Sequence, residues 1–432
     1  MFSKLTRQES SPPPSLGKRL WVVFAVALAV RVACVVWIPP TPQSAFGPLD
    51  DATDYDHLAR TLLSNGAFLS PSGEPTAFRP PVYPIFLAII YSISGVGNLR
   101  AVALCHAILG AISSVLLVRL GQRAKFPANA SLLAGAIYAV YPAFVFQTPQ
   151  ILSEVLGRTL LLAALLLIFR AVEKGRLAWY AVAGAVLGVT ILDKSVFLVC
   201  APFIAAWLLW VAGGSAGRWW LYVGAFLSPL VVVVGSWTVR NYLVSGSLIP
   251  VSTNFPITFA HGLTKFCVQT REWYGDRPLL ELPENYQEWT QLRYYKGVEE
   301  EIELGRDFGS QARDFIRQHP GFFAILTARK ALHFWGPFVY NKPVVRLIAF
   351  VSMAPILLGG WLFLILSLRR GGNGAKFALL AVLVALPVTL PYALSQADVR
   401  YRLGTVEPLW ILMASGMAVE IWDWWRRRRQ RD

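Results

Sequence analysis

Ten stretches of 16 to 25 mainly apolar residues recur along this chain, at 20–38, 99–118, 131–146, 151–169, 177–192, 196–211, 219–237, 344–368, 377–394 and 405–422. A helix needs about 20 such residues to cross the hydrocarbon of a bilayer, and inside it every backbone polar group must be bonded within the helix. The pattern therefore predicts an all-α polytopic membrane protein of about ten transmembrane helices. Composition agrees, because 55% hydrophobic and 15% charged residues in a chain of 432 cannot supply a water-exposed surface, which excludes the soluble enzyme folds. The net charge of +15 would suggest nucleic acid in a soluble protein. Here the Lys and Arg residues fall in short clusters between apolar runs, so the charge reads as membrane topology and no nucleic-acid partner is expected.

One further run, 82–96, is short, follows Arg79-Pro80-Pro81 and contains Pro84. If it spanned, the later basic clusters would invert relative to the N-terminus. If it only dips into the membrane, Lys18/Arg19, Arg119/Arg123/Lys125, Lys174/Arg176, Arg218, Arg369/Arg370/Lys376 and Arg426 to Arg429 all share the cytoplasmic side. The second reading gives an N-terminal tail at 1–19, a membrane domain at 20–424 and a basic tail at 425–432, with both termini cytoplasmic. External segments then lie at 39–98 and 240–343. The first apolar run lacks a small-residue cleavage site and is expected to be a retained helix. Cys34, Cys105 and Cys200 lie in apolar runs and Cys267 in a polar loop, so no disulfide set is expected.

Within the first external segment, Asp51, Tyr55, Leu58, Ala59 and Leu62 share one face of a short helix ending near Asn65-Gly66, which is expected to lie on the membrane. In the second, 294–335 is helix-like with a break at His319-Pro320-Gly321. Neither a GxxxxGK[ST] loop, a strand-flanked GxGxxG, HExxH nor CxxC is present, so coupling to ATP within this chain is not expected. Arg31 stands inside the first apolar run, where a charge costs about 2.5 to 3.5 kcal/mol on the insertion scale, and should face protein or a polar cavity.

The densest polar constellation is Asp50-Asp51-Ala52-Thr53-Asp54-Tyr55-Asp56-His57-Leu58-Ala59-Arg60, followed by Thr76-Ala77-Phe78-Arg79-Pro80-Pro81-Val82-Tyr83-Pro84. With Leu152-Ser153-Glu154, Ile191-Leu192-Asp193-Lys194, Trp237-Thr238-Val239-Arg240-Asn241-Tyr242, His319-Pro320 and Asp398-Val399-Arg400-Tyr401-Arg402-Leu403 in that order, it resembles the GT-C superfamily. Within that superfamily the likeness is to bacterial aminoarabinose transferases and protein O-mannosyltransferases, the glycosyltransferase family 39 type. Ile191-Leu192-Asp193-Lys194 resembles the family's Leu-Thr-Lys or Leu-Thr-Arg step. Two departures stand out. Asp51-Ala52 replaces the family's frequent Asp-Glu, and the soluble C-terminal domain of some members is expected to be absent.

The resemblance implies a GT-C-type bundle with external juxtamembrane helices, and transfer of a sugar, with inversion, from a polyprenyl-phosphate donor to an acceptor hydroxyl at the periplasmic or external face of an inner membrane. The implied acceptor is a lipid, a glycan or a protein. Asp51 is implied as the base, Arg79, Arg240 and Lys194 as donor-phosphate contacts, and Asp50, Tyr55, Tyr83, Glu154 and Arg400 as supporting or substrate-binding residues. A carboxylate can take the acceptor's proton, and cations stabilise a leaving phosphate as it gains charge. Other roles fit the same residues: Asp50 or Asp51 as a helix cap, the basic groups as snorkelling side chains, Glu154 as partner of Arg158, Asp398 in a structural salt bridge. Glu154 leaves a divalent metal open, while the five histidines form no metal spacing. A lipid-linked glycan ligase or polymerase, and a lipid-linked-sugar flippase, are the competing readings.

Overall fold

The computed structural model describes residues 14–40, 51–212, 217–264, 267, 279–281, 296–337 and 343–430. Asp50 lies outside them. The regular secondary structure of the described residues is helical, apart from one isolated bridge between Leu69 and Pro75. Six helices are long and apolar enough to cross a membrane by length and composition: α1 (Pro14–Trp37), α4 (Leu99–Arg123), α7 (Glu154–Lys174), α10 (Trp219–Ser245), α14 (Pro343–Arg370) and α15 (Gly372–Leu394). Shorter apolar helices accompany them: α3 (Val82–Ser94), α5 (Ala128–Val140) continued past Pro142 by α6 (Pro142–Phe146), α8 (Leu177–Asp193), and a 3₁₀ turn at Ser195–Leu198 leading into α9 (Ala201–Ala212). The last helix, α17 (Glu407–Arg429), is buried along its first half, from Glu407 to Met417, and forms a central post of the core. The fold class expected from the sequence is the one observed.

Helices in a membrane gain little from burying apolar surface against one another, so close approach depends on small residues. Gly184 in α8 lies against the backbone of Phe226 in α10, and Gly360 in α14 lies against the indole of Trp410 in α17. A side chain at either position would force the pair apart. Arg31 faces protein as expected. Its guanidinium lies against Gly110 of α4 and donates to the carbonyls of Ala27 (3.0 Å), Ala139 (2.7 Å) and Tyr138 (3.1 Å), which stand in for the water it has lost.

The basic clusters gather at one end of the bundle. Arg123 at the end of α4 pairs with Glu173 at the end of α7, and Arg370 at the end of α14 pairs with Glu420 of α17 at 2.6 Å. Tyr180 stacks on Tyr222, joining the starts of α8 and α10. Arg31, near the C-terminal end of α1, touches Gly110, whereas Val23 lies near Gly135, which also touches Val118. The helices α1 and α4 are therefore antiparallel, and the start of α4 shares a face with the end of α1. Helix α3, which lies between them in sequence, must begin and end on that same face. Its 13 residues rise only about 20 Å against a hydrocarbon core of about 30 Å.

Above that face, α2 (Asp51–Asn65) does more than rest on a membrane surface. Its apolar side, Ala52, Tyr55 and Ala59, packs against Tyr83, Leu87 and Tyr91 of α3 and against Ile151, Leu152 and Leu156 at the start of α7. A second layer comprises α11 (Phe255–His261), α12 (Val298–Gln318) and α13 (Pro320–Trp335), built around Phe78, Ile257, Phe308, Phe315 and Leu326. The break at Pro320 falls where the sequence places it. Three buried polar groups fasten this layer. Glu301 accepts from Thr76, from the Ala77 N–H (3.2 Å) and from Thr253 (2.7 Å). Lys330 donates to the carbonyls of Gly262 (2.5 Å) and Ser395 (2.7 Å). Arg402 pairs with Glu407 at 2.6 Å and donates to the carbonyls of Phe334 and Gly336.

Candidate active site

The start of α2, the loop before α3, the start of α7, the end of α8 and the short helix α16 (Val399–Leu403) meet on the face opposite the basic clusters. Each contributes one or two charges. Asp51, the first residue of α2, has one carboxylate oxygen 2.8 Å from Arg79 and the other 2.6 Å from Arg400. Arg79 forks onto Asp54 as well, through Nη2 at 2.7 Å and Nε at 3.1 Å, and its guanidinium lies 5.7 Å above the Tyr55 ring. Glu154, the first residue of α7, lies 3.3 Å from Lys194 and 3.6 Å from the Nε of Arg400. Three cations and three carboxylates thus form one continuous network, with Arg400 joining its halves.

Local structure explains how these residues come to face one another. Asp51 and Asp54 occupy the first turn of α2, where carboxylates are stabilised by the helix dipole. Asp398 caps α16 by accepting from the Arg400 N–H at 2.8 Å, so it orients Arg400 from behind without joining the network. Lys194 follows α8 in an extended conformation that ends the helix and turns its side chain toward Ser153 and Glu154. Burial by itself would raise the Asp51 carboxyl, but the guanidinium groups of Arg79 and Arg400, with the ammonium of Lys194, hold it well below the usual carboxylate range. Burial pushes the Tyr55 phenol up, and its ring packs edge-on to Tyr83 at 4.8 Å. Tyr83 is buried, and its hydroxyl lies 3.2 Å from Nε2 of His106.

Of the residues singled out from the sequence, Asp51, Arg79, Glu154, Lys194 and Arg400 converge, with Tyr55 and Tyr83 packed beneath them. Arg240 is elsewhere. It donates to the carbonyls of Thr76 (2.7 Å) and Phe68 (3.4 Å) and lies 4.8 Å over the Trp237 ring, so it braces the loop that carries Arg79. Glu154 does not pair with Arg158, which bonds instead to Gln147 and to the carbonyl of Leu403 at 3.0 Å. Sequence reasoning gave Asp54 no role; its contact with Arg79 crosses 25 residues and has no local signature. Among the described residues no three His, Cys, Asp or Glu side chains converge as a metal site.

Residues 78–237 match the family described as dolichyl-phosphate-mannose-protein mannosyltransferase. The match covers less than half of the chain. The match includes Arg79, Glu154 and Lys194, and the resemblance read from the sequence holds. No curated protein sequence matches the chain. Among solved structures, it is similar to the archaeal oligosaccharyltransferase AglB from Archaeoglobus fulgidus in complex with an inhibitory peptide and a dolichol-phosphate. The TM-score is 0.58 at 15% identity, covering 96% of this chain and 52% of that one. The Archaeoglobus fulgidus oligosaccharyltransferase tethered with an acceptor peptide aligns with a TM-score of 0.56 at 14% identity, over 91% of this chain and 49% of that one. ArnT from Cupriavidus metallidurans in the apo state gives 0.43 at 15%, over 91% and 78%. At these identities the likeness to the oligosaccharyltransferases is one of fold, the GT-C-type bundle, and the chain spans about half of their length.

Proposed function

We propose that the chain is an integral-membrane glycosyltransferase that moves a sugar from a polyprenyl-phosphate donor to an acceptor hydroxyl on the face bearing the Asp51 network. The observation that carries this reading is the convergence of Arg79, Lys194 and Arg400 on two carboxylates, at the end of the bundle opposite the basic clusters. The positive-inside rule makes that end the periplasmic or external one. A phosphate entering the network competes with Asp51 and Glu154 for the same three cations. Arginine forks suit phosphate oxygens, and in an enclosed site they stabilise the charge that develops as the bond from the sugar carbon to the phosphate oxygen breaks.

The base must gain what the phosphate gives up. Held by two guanidinium groups, Asp51 is a weak proton acceptor in the resting site. Once Arg79 and Arg400 turn to the donor phosphate, its basicity rises and it takes the proton of the acceptor hydroxyl, while the acceptor oxygen attacks the sugar carbon from the face opposite the departing phosphate. The products are the inverted glycoside and polyprenyl phosphate. The acceptor class is a lipid, a glycan or a protein. The test is transfer from a radiolabelled polyprenyl-phosphate sugar by the purified chain in proteoliposomes, with envelope lipid, glycan and protein fractions as acceptors. Labelled acceptor together with released polyprenyl phosphate is expected. Movement of intact donor across the bilayer without bond cleavage would identify a flippase instead.

A further inference from the structure

Asp193, beside the network, is a carboxyl group that the mechanism leaves idle. It closes α8 immediately before Lys194 and is 1% exposed, yet neither of its carboxylate oxygens has a hydrogen-bond partner. Every carboxylate of the network proper is bonded to a cation at 2.6 to 3.3 Å. A buried polar group without a partner costs about 1 to 3 kcal/mol, and an ionised one more, so such a group persists where something other than stability retains it. The space for it is made by Gly157, one turn along α7 from Glu154. A Cβ there would come within 2.7 Å of Asp193 Oδ2, and Lys194 Cδ lies 3.9 Å from the same point. The stem of Lys194 therefore lies alongside Asp193 in the closed network.

We propose that Asp193 is a specificity-determining residue that accepts hydrogen bonds from hydroxyl groups of the donor sugar. The proposal rests on the donor-phosphate reading of the network. A sugar ester-linked to a phosphate held by Lys194 presents its hydroxyls within one residue's reach of position 193, and a carboxyl group, with two oxygens, suits a pair of neighbouring hydroxyls. A cation is a poorer fit, because Lys194 already supplies positive charge there and no metal-ligand set is present among the described residues.

The experiment compares the full chain and its Asp193→Thr and Asp193→Asn variants in nanodiscs, measuring equilibrium binding of bare polyprenyl phosphate and of its mannosyl and glucosyl esters. The unaltered chain should bind at least one ester about tenfold or more tightly than the bare phosphate, the scale of a hydrogen bond to a charged group. Asp193→Thr should lose that preference, Asp193→Asn should keep part of it, and both should bind bare phosphate as before. Because the carboxylate is unpaired, Asp193→Thr should also raise the melting temperature, whereas a structural role would lower it. A sugar preference unchanged in Asp193→Thr, or absent from the unaltered chain, overturns the proposal and leaves the donor reading standing. If the unaltered chain binds neither phosphate nor ester, the donor reading fails and this inference fails with it.

Discussion

At the scale of single residues, the proposed mechanism separates groups that bind from the group that reacts. A general base contributes about 10² to 10⁴ in rate, so Asp51→Asn should lose turnover on that order in a donor-transfer assay while donor affinity stays within a few fold. Asparagine can still cap α2, which separates chemistry from capping. Near-normal transfer by this variant would move the base to Glu154 or to Asp50. Arg79→Ala should weaken donor binding and leave Asp51 and Asp54 facing each other; Arg79→Lys should restore part of the affinity, since a point charge replaces one arm of a fork. Unchanged donor affinity in Arg79→Ala would place the phosphate elsewhere. The pH profile follows from the depressed Asp51 carboxyl. In the free enzyme it stays ionised as pH falls through about 4, the ordinary carboxylate range, so the acid limb of kcat/KM should lie below that value. With the guanidinium groups drawn to phosphate, the acid limb of kcat should sit at higher pH. Coincident limbs in the two profiles would mean that the cations never leave Asp51.

Helices and loops set how firmly the network is held. The loop carrying Arg79 is tied down by Glu301 of α12, which accepts from Thr76, Ala77 and Thr253, and by Arg240 of α10. Glu301→Ala leaves three buried donors without an acceptor, at a cost of about 1 to 3 kcal/mol or more. Hydrogen exchange should speed up over residues 68–79 and 251–253, and donor KM should rise more than kcat falls; exchange unchanged there would show that the tie is dispensable. The external layer should also soften in acid. Burial, reinforced by the nearby Lys330 charge, pushes the His261 imidazole down to about 4. The folded layer therefore prefers neutral His261, and that stability is complete above the unfolded value of about 6.5 and is lost as pH falls toward 4. Proteolysis at α11 to α13 should accelerate in this window, and His261→Gln should flatten the dependence.

Across the whole molecule, the alternation of basic clusters and the return of α3 to its starting face predict a sidedness that labelling can read. In a chain with its four native cysteines replaced, cysteines at Ser72 and at Lys125 or Gly372 should react with impermeant reagents from opposite sides. Labelling of Lys125 together with Ser72 would mean that α3 crosses the membrane. The sequence by itself determined the spanning helices, the amphipathic α2, the break at Pro320 and the carboxylate and cation segments of the site. Each is a local property, since hydropathy, helical periodicity and proline act within a few turns of chain. It could not determine which charges meet. Asp51 and Arg400 are 349 residues apart and bond at 2.6 Å, whereas Glu154 and Arg158, neighbours on one helix, turn to different partners. Only the tertiary structure decided that Arg240 braces a loop and that Asp193 lies unpaired beside Lys194, because buried charges settle where the packing of several helices leaves them a partner, and position along the chain does not encode that choice.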